Sequence, residues 1–275
     1  MKTVLFAIAI LGIMGAVFGL VLAIASKVFA VETDERLAPM TEALPGANCG
    51  GCGFTGCAAY AQAVIDGKAK IGLCAAGGQP AADTMAKIMG QEAVEAERMV
   101  AMVRCRHKDI KPKGEYHGLQ SCLSATKVAG KGPNQCEYGC IGFGDCAAAC
   151  KFGAMKVIDG CAIVDADRCT GCMACAAACP KGLILKVPFE ADIIVACSSR
   201  DKGAETRKYC DIGCIGCHIC EKNCPNDAIH IMDNVAVIDH TKCDSCGICA
   251  EKCPRHLIAD MNLRHDADRV EARAR

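Results

Sequence analysis

Apolar residues form one long run at the start of the chain. Residues 1–25 (MKTVLFAIAILGIMGAVFGLVLAIA) are almost continuously apolar, with a lysine near each end. Because about 20 apolar residues suffice for a helix to cross the hydrocarbon core of a bilayer, the run predicts a transmembrane helix over residues 1–27. A cleaved signal peptide is the alternative, since residues 28–30 (VFA) loosely resemble a cleavage site. Its apolar region would be about twice the usual 7 to 15 residues, which favours a retained anchor.

Later apolar stretches are short. Asp159 and Asp233 each begin a turn dipeptide that precedes alternating apolar residues, in DGCAIVDADRC and DNVAVIDHTKC. This pattern is typical of a β-hairpin. Residues 99–105 (MVAMVRC) predict a short buried strand, and residues 57–66 and 80–97 predict helices. We therefore expect an α+β protein.

Cysteine carries the chemistry of this sequence. The chain has 25 cysteines, and a unit of eight recurs with an offset of 74 residues. Three of the four groups in the two copies read C-x2-C-x2-C-x3-C followed by Pro. The unit comprises Cys136, Cys140, Cys146, Cys150, Cys169, Cys172, Cys175 and Cys179, which recur as Cys210, Cys214, Cys220, Cys224, Cys243, Cys246, Cys249 and Cys253. In bacterial ferredoxins with this run, three thiolates hold one cluster and the fourth Cys ligates the other. The repeat thus predicts two tandem bacterial-type 2[4Fe-4S] ferredoxin modules.

Structural zinc and a disulfide framework are the alternatives. Zinc sites use two separated CxxC pairs, often with His in place of a Cys, whereas each run here packs its four thiols closely together. A disulfide framework spreads its cysteines so that distant segments are joined. The tight spacing favours iron-sulfur clusters over both.

A separate group of four cysteines precedes the repeat. Cys49, Cys52, Cys57 and Cys74 have the spacing C-x2-C-x4-C-x16-C in a glycine-rich segment. Glycines allow the backbone to wrap around a cluster and to direct amide N–H groups at its sulfurs. We interpret this segment as a small domain with a fifth [4Fe-4S] cluster, with zinc as the alternative.

Crossed ligation, which is usual in bacterial ferredoxins, assigns the module cysteines to clusters. Three sets follow from it: Cys150, Cys169, Cys172 and Cys175; Cys214, Cys217, Cys220 and Cys253; and Cys224, Cys243, Cys246 and Cys249. A fourth set, from the first group of the first module, lacks its central Cys, because Phe143 occupies the position equivalent to Cys217. Cys136 is the natural substitute, and its counterpart Cys210 is then redundant. This set is Cys136, Cys140, Cys146 and Cys179.

Twenty cysteines fall into these five predicted sets, and five remain. The remaining ones are Cys105, Cys122, Cys161, Cys197 and Cys210. We expect Cys161 to be a small buried hydrophobe, since its repeat partner is Val235. Cys122 and Cys197 lie one residue off the repeat register and are candidate equivalents. An additional cluster that uses Cys105, Cys122 and others is an alternative left open.

Charge and histidine add smaller expectations. The net charge is zero and Trp is absent, so nothing predicts a nucleic-acid partner. From Arg98 to Lys113, six Lys and Arg residues stand against one acid. Residues 104–113 are either a solvated basic loop or an electrostatic landing site for an acidic electron carrier. His218 and His240 lie beside predicted clusters, and we expect them to tune the clusters through hydrogen bonds rather than to ligate them.

Three features together resemble a known family, the B subunit of the Rnf complex (RnfB/RsxB). They are the apolar N-terminal helix, the segment LPGANCGGCGFTGC and the later segment CEYGCIGFGDC. The resemblance covers essentially the whole chain. It implies an electron-transfer subunit that accepts electrons from reduced ferredoxin and passes them into a membrane complex that reduces NAD and translocates sodium ions or protons.

The same resemblance implies that other membrane and flavin-carrying subunits complete the complex. That division agrees with the lack of a GxGxxG or flavin fingerprint in this chain. No bond-making catalytic site is expected here, because every iron would have its full set of thiolates. An Rsx-type system that keeps a redox sensor reduced, and a membrane-anchored polyferredoxin carrier, are the alternative functions.

The expected organisation has seven parts. They are a transmembrane helix (1–27), a tether (28–42), the four-Cys domain (43–78), a connecting region (79–129), the first ferredoxin module (130–189), the second module (190–263) and a C-terminal tail (264–275). Because iron-sulfur clusters need free thiolates, which persist in the reducing cytosol, we expect a single-pass protein of the inner membrane whose soluble part faces the cytoplasm.

Overall fold

The computed structural model describes residues 2–28, 34–92, 95, 97–106, 110–128 and 131–260. Of the side chains in the first helix, it describes those of residues 12–25. The expected C-terminal tail and Lys108 of the basic segment lie outside the described residues.

Helix α1 (Lys2–Val28) opens the chain and covers the apolar N-terminal run with 27 residues. Its large apolar side chains over residues 12–25 are exposed, including Phe18 at 62% and Leu22 at 68%. In the part of the chain that the structure describes, no helix was found that is long and apolar enough to cross a membrane. The expected transmembrane helix is thus not confirmed.

Three helices form a small N-terminal domain around the buried side chains of Met40, Tyr60 and Met85. They are α2 (Leu37–Glu42), α3 (Cys57–Ile65) and α4 (Gly78–Met89). Helix α3 has the predicted position. Helix α4 ends at Met89, because Gly90 adopts a left-handed conformation with φ 65°. The predicted continuation of this helix to Glu97 is therefore wrong.

The first ferredoxin module contains two antiparallel strand pairs. Its elements are β1 (Met99–Val103), α5 (Cys122–Thr126), α6 (Asp145–Ala148), β2 (Met155–Ile158), β3 (Cys161–Val164), α7 (Ala174–Ala178) and β4 (Ile184–Pro188). Strands β2 and β3 form the predicted hairpin, and its turn residues Asp159 and Gly160 both have positive φ. Strand β1 pairs with β4, so the strand predicted in the connecting region closes the sheet of this module.

The second module repeats this arrangement. Its elements are β5 (Ile193–Val195), α8 (Gly203–Tyr209), α9 (Ile219–Lys222), β6 (Ile229–Met232), β7 (Val235–Ile238), α10 (Ile248–Glu251) and β8 (Ile258–Asp260). Strands β6 and β7 form the other predicted hairpin, and β5 pairs with β8 as β1 pairs with β4. The two modules are thus internally equivalent.

Four short helices place a Cys in the same way in both modules. Each helix follows a residue in the left-handed conformation, and the Cys is its second residue. The left-handed residues are Gly144, Met173, His218 and Gly247, and the cysteines are Cys146, Cys175, Cys220 and Cys249. Non-glycine residues adopt this conformation at a cost of about 1 kcal/mol or more. The sharp reversal turns each loop inward at its third Cys.

Hydrogen bonds join the three units of the described chain. Ser198 Oγ donates to the carbonyl of Tyr138 at 2.9 Å, which joins the second module to the first. Lys111 donates from its backbone N–H to the carbonyl of Tyr209 at 3.2 Å. Lys151 Nζ donates to the carbonyl of Ala47 at 2.9 Å, which joins the first module to the N-terminal domain.

Gly142 should tolerate no side chain, because it contacts the turn of the β2–β3 hairpin. Its φ is 89°, and a Cβ there would overlap the carbonyl oxygen of Gly160. Gly182 has φ 60° but open space around it, so a side chain there would cost only the backbone strain of positive φ and would cause no steric overlap. We expect Gly142→Ala to destabilise the protein by about 1 to 3 kcal/mol more than Gly182→Ala. Thermal unfolding of the two variants measures the difference, and equal midpoints would contradict the close packing of this turn.

Candidate functional site

The thiols of this chain are brought into groups without disulfides. All 25 cysteines lie in the described residues, and none of them forms a disulfide. Among the described residues, no three or more His, Cys, Asp or Glu side chains converge closely enough to hold a single metal ion. Several sets of cysteines instead line cavities, and these cavities organise the candidate site.

The N-terminal set surrounds one cavity. Cys49, Cys52, Cys57 and Cys74 line about 370 Å³ of space not occupied by atoms. Asn48 fixes the loop, because its Oδ1 accepts from the backbone N–H of Cys57 at 2.8 Å. Burial raises the pKa of Cys74, and the three other thiols add to the increase. The structure therefore brings together the four thiols that the sequence groups here.

This N-terminal cavity also touches the first module. Cys172 is one of its lining residues. A Cβ on Gly51 would lie 2.8 Å from the carbonyl oxygen of Cys172, so only glycine permits this approach. The loop of one predicted cluster set therefore lies directly against the loop of another.

The two sets of the second module also line cavities. The first is lined by Cys214, Cys217, Cys220 and Cys253 and contains about 320 Å³ of unoccupied space. The second is lined by Cys224, Cys243, Cys246 and Cys249 and contains about 330 Å³. Both groupings are those that crossed ligation predicts. Cys217 and Cys246 are exposed, whereas most of the other thiols are buried or half-buried.

The pKa values of these thiols reflect how close together the members of each set lie. Burial raises the pKa of Cys249 to about 11, and the thiols of Cys243, Cys224 and Cys246 add to the increase. Four thiolates confined this closely repel one another unless cations separate them. Sets of this kind are thus suited to binding iron rather than to remaining ionised alone.

In the first module, one predicted set is assembled. Burial raises the pKa of Cys175 to about 11, with contributions from Cys169, Cys172 and Cys150. The Sγ of Cys169 accepts from the backbone N–H of Ala101 at 3.3 Å. Hydrogen bonds of this kind favour the thiolate and are among the factors that set cluster potentials.

The other set of the first module differs from the prediction. Burial raises the pKa of Cys146 to about 12, and the thiols that add to the increase are Cys140, Cys179 and Cys122. Cys136 instead has Cys105 and Cys210 as its thiol neighbours. The structure therefore does not bring Cys136 together with Cys140, Cys146 and Cys179 as predicted, and it places Cys122 at that position.

Helix α5 delivers Cys122 through contacts that no spacing rule contains. The Asp145 carboxylate accepts from Ser121 Oγ and from the backbone N–H of Leu123, both at 3.0 Å. Although burial opposes the shift, the hydrogen bonds from the backbone N–H groups of Leu123 and Cys122 hold the pKa of Asp145 below its usual range. The Phe143 ring packs against Tyr116, with centroids 5.3 Å apart. Phe143 thus helps to dock the segment that brings the missing thiol.

Cys161 is a buried thiol that lies beside Cys105 and Cys140 and donates hydrogen bonds. Its Sγ donates to the carbonyl of Cys105 at 3.3 Å, and 4% of the residue is exposed. A hydrogen bond from the Cys161 side chain lowers the pKa of Cys140 to about 6. Cys161 is therefore buried as predicted, and in addition it stabilises the thiolate of a predicted ligand.

The two histidines differ in their surroundings. His218 Nδ1 lies 2.5 Å from Glu221 Oε2, beside the helix that carries Cys220. Burial lowers the pKa of His240.

The basic segment is engaged within the chain. Arg98 lies over the ring of Phe189 at 3.7 Å. Arg104 Nε donates to the carbonyl of Cys197 at 3.1 Å, and Lys111 Nζ donates to the carbonyl of Lys208 at 3.0 Å. Arg104 and Lys111 thus join the two modules, so the segment is more than a solvated basic loop. Their acceptors are neutral carbonyls, so the charge of the segment remains and the landing site stays a prediction.

Family models match three parts of the chain. Residues 44–76 match "Putative Fe-S cluster", residues 162–185 match "4Fe-4S binding domain" and residues 213–258 match "4Fe-4S dicluster domain". These regions contain the N-terminal set, one run of the first module and both runs of the second. Iron-sulfur domains with [4Fe-4S] modules are thus present.

Curated relatives match most of the chain. The B subunit of the Na(+)-translocating ferredoxin:NAD(+) oxidoreductase complex of Acetobacterium woodii is 42% identical over 88% of this chain and 74% of its own length. The B subunit of the proton-translocating ferredoxin:NAD(+) oxidoreductase complex of Clostridium ljungdahlii is 44% identical, with 89% and 87% covered. The B subunit of the ion-translocating oxidoreductase complex of Methanosarcina acetivorans is 40% identical, with 86% and 90% covered.

Loss of the Asp145 carboxylate should free Cys122 from its set. Removing a charged acceptor of several hydrogen bonds costs about 1.5 to 3 kcal/mol, so Asp145→Ala should increase the local opening of α5 by at least ~10-fold. Alkylation of the iron-free, reduced protein, read by peptide mass spectrometry, measures the reactivity of Cys122. Glu190→Ala, which removes an exposed carboxylate, is the control. An unchanged rate at Cys122 in Asp145→Ala would show that other contacts hold the helix.

Proposed function

This chain belongs to the family of B subunits of ion-translocating ferredoxin:NAD(+) oxidoreductase complexes, and we propose that it carries electrons from reduced ferredoxin into such a complex. The complex would reduce NAD(+) with these electrons and couple the reaction to ion translocation. Other membrane and flavin-carrying subunits would complete it. The chain itself would perform no bond chemistry.

The observation that carries this proposal is the contiguity of the thiol sets. The N-terminal set lies against the loop of Cys172 in the first module, and two further sets line cavities in the second module. Each set has four thiols, as a [4Fe-4S] cluster requires. A chain of such sets conducts electrons over a distance that no single site could cover.

We assign five of these sets to [4Fe-4S] clusters. The sets of the N-terminal domain and of the second module are those predicted from the sequence, as is the set that contains Cys175. The remaining set is Cys122, Cys140, Cys146 and Cys179, supported by the neighbours of Cys146. When bound, the clusters supply one-electron transfer, while the thiolates and the backbone N–H groups around them set the potentials.

We further propose that α1 anchors the chain in the cytoplasmic membrane as a single pass, with the remainder on the cytoplasmic side. The apolar run and the exposed apolar side chains of residues 12–25 support this, because such side chains need a covering of lipid or protein. A cytoplasmic location would keep the thiols reduced.

Ferredoxin would deliver electrons beside the second module. Cys217 and Cys246 are exposed there, so two of its sets reach the surface of the described chain. Arg104 and Lys111 bond to carbonyls of the second module, so their positive charge lies beside the same module.

Removal of the N-terminal set should stop electron flow through the complex. In membrane vesicles that contain Cys49→Ala in place of the wild-type chain, we expect ferredoxin-dependent NAD(+) reduction to fall at least ~10-fold, because the electron-transfer path loses one of its clusters. Glu190→Ala, which removes an exposed carboxylate, is the control and should retain activity. Equal rates in wild type and Cys49→Ala would exclude the N-terminal set from the path.

Deletion of residues 1–27 should release the chain from the membrane without loss of iron. No cysteine precedes Cys49, so the clusters should remain. Centrifugal fractionation together with iron analysis measures both properties. A truncated chain that still sediments with membranes, or an intact mass that already lacks the first helix, would contradict the anchor.

A further inference from the structure

Four cysteines outside the five assigned sets line one cavity between the two ferredoxin modules. They are Cys105, Cys136, Cys197 and Cys210. The space between atoms there, open solvent included, is about 350 Å³, against about 370, 330 and 320 Å³ on the same measure at the three assigned sets that line cavities. The junction therefore has the size and the number of thiols of the other sites.

Each module contributes two thiols to this cavity, and the two pairs are equivalent. In each pair, the first thiol follows a strand. Cys105 lies two residues after the end of β1, and Cys197 lies two residues after the end of β5. Cys105 Sγ accepts from the backbone N–H of Cys140 at 3.4 Å. Cys197 Sγ accepts from the backbone N–H of Cys214 at the same distance. The two strand-end thiols are thus held identically.

The second thiol of each pair lies in the loop before the next ligand. Cys136 and Cys210 are related by the 74-residue repeat. A Cβ built on Gly139 would lie 3.4 Å from Cys136 Sγ, and one built on Gly213 would lie 3.4 Å from Cys210 Sγ. Glycine at both positions keeps the loops close to the thiols. The cavity thus takes two equivalent thiols from each module.

Two half-buried cations near the cavity each have a buried nitrogen atom without a hydrogen-bond partner. Arg104 lines it, and its Nη2 is buried without a partner, as is the Nζ of Lys181. The thiols of Cys136, Cys140 and Cys105 lie near Lys181. A buried cation is costly unless a negative charge compensates it. A tetrathiolate cluster, which is anionic, would supply that charge.

We propose that Cys105, Cys136, Cys197 and Cys210 bind a sixth [4Fe-4S] cluster, which connects the two ferredoxin modules. The inference rests on the proposed electron-transfer function and extends it. Independent buried thiols behave as small hydrophobes, but they need neither converge on one cavity nor lie beside unpaired cations. With this set, Cys161 is the one cysteine of the 25 that holds no cluster.

The location gives the sixth cluster a role as relay. Its thiols Cys105 and Cys197 accept hydrogen bonds from Cys140 and Cys214, which are assigned ligands in the first and second modules. Electrons that pass between the modules would cross here. Without this set, the path between the two modules has no relay at their junction.

Metal content decides the proposal. The full-length chain, purified without oxygen and reconstituted, should contain about 24 iron atoms and as many sulfides, against about 20 if five clusters are present. Cys210→Ala should lose about four iron atoms or convert one cluster to a three-iron form, with a change in the EPR spectrum. Glu190→Ala, which removes an exposed carboxylate, is the control and should keep the wild-type content.

The outcomes separate this proposal from the proposed function. About 20 iron atoms in the wild type with no loss in Cys210→Ala, or one zinc per chain at the junction, would overturn the sixth cluster and leave the other five in place. A chain without iron would overturn both. If Cys210→Ala does not fold, the iron, sulfide and EPR spin count of the wild type decide the question alone.

Discussion

The confinement of many thiols in a small interior is the constraint on which this structure depends. Aromatic residues are 4% of the chain and Trp is absent, and cysteines fill a large part of the buried clusters in both modules. Burial raises the pKa of Cys146 and Cys220 to about 12, and neighbouring thiols add to the increase. Thiolates can share such space only when metal ions separate them, so metal binding and folding are coupled. Coordinate bonds replace much of the apolar core that a protein of this size would otherwise build.

Departures from the internal repeat mark the places where units meet. Phe143 stands where the second module has Cys217, and it packs against Tyr116 in the segment that brings Cys122. Lys151 stands where the other Cys runs have Pro, and it bonds to the N-terminal domain. An exact copy of the second module would therefore lack both contacts. The first module has kept the ferredoxin fold while changing the residues that face its neighbours.

Local patterns allowed the hairpins and the complete Cys runs to be predicted, because turn residues and ligand spacing act within a few residues. The glycine-rich N-terminal set was predictable for the same reason. The grouping of Cys136 relied on sequence proximity, whereas the position of Cys122 depends on the contacts of α5 with Asp145. The pairing of β1 with β4 joins residues more than 80 positions apart, and the cations of the basic segment bond to a module that no charge count identifies. Long-range contacts of this kind leave no local signature.

Contacts between neighbouring sets place them in one order. The N-terminal set meets the Cys172 loop, and Cys172 belongs to the same module as Cys140. The backbone N–H of Cys140 donates to Cys105 at the junction, and Cys197 of the same cavity accepts from Cys214 in the second module. The exposed Cys246 lies in the last set of this order. A linear order has two ends, one at the second module and one in the N-terminal domain. Electrons that enter from a soluble donor at the first end would therefore leave from the N-terminal domain, where a partner subunit could receive them.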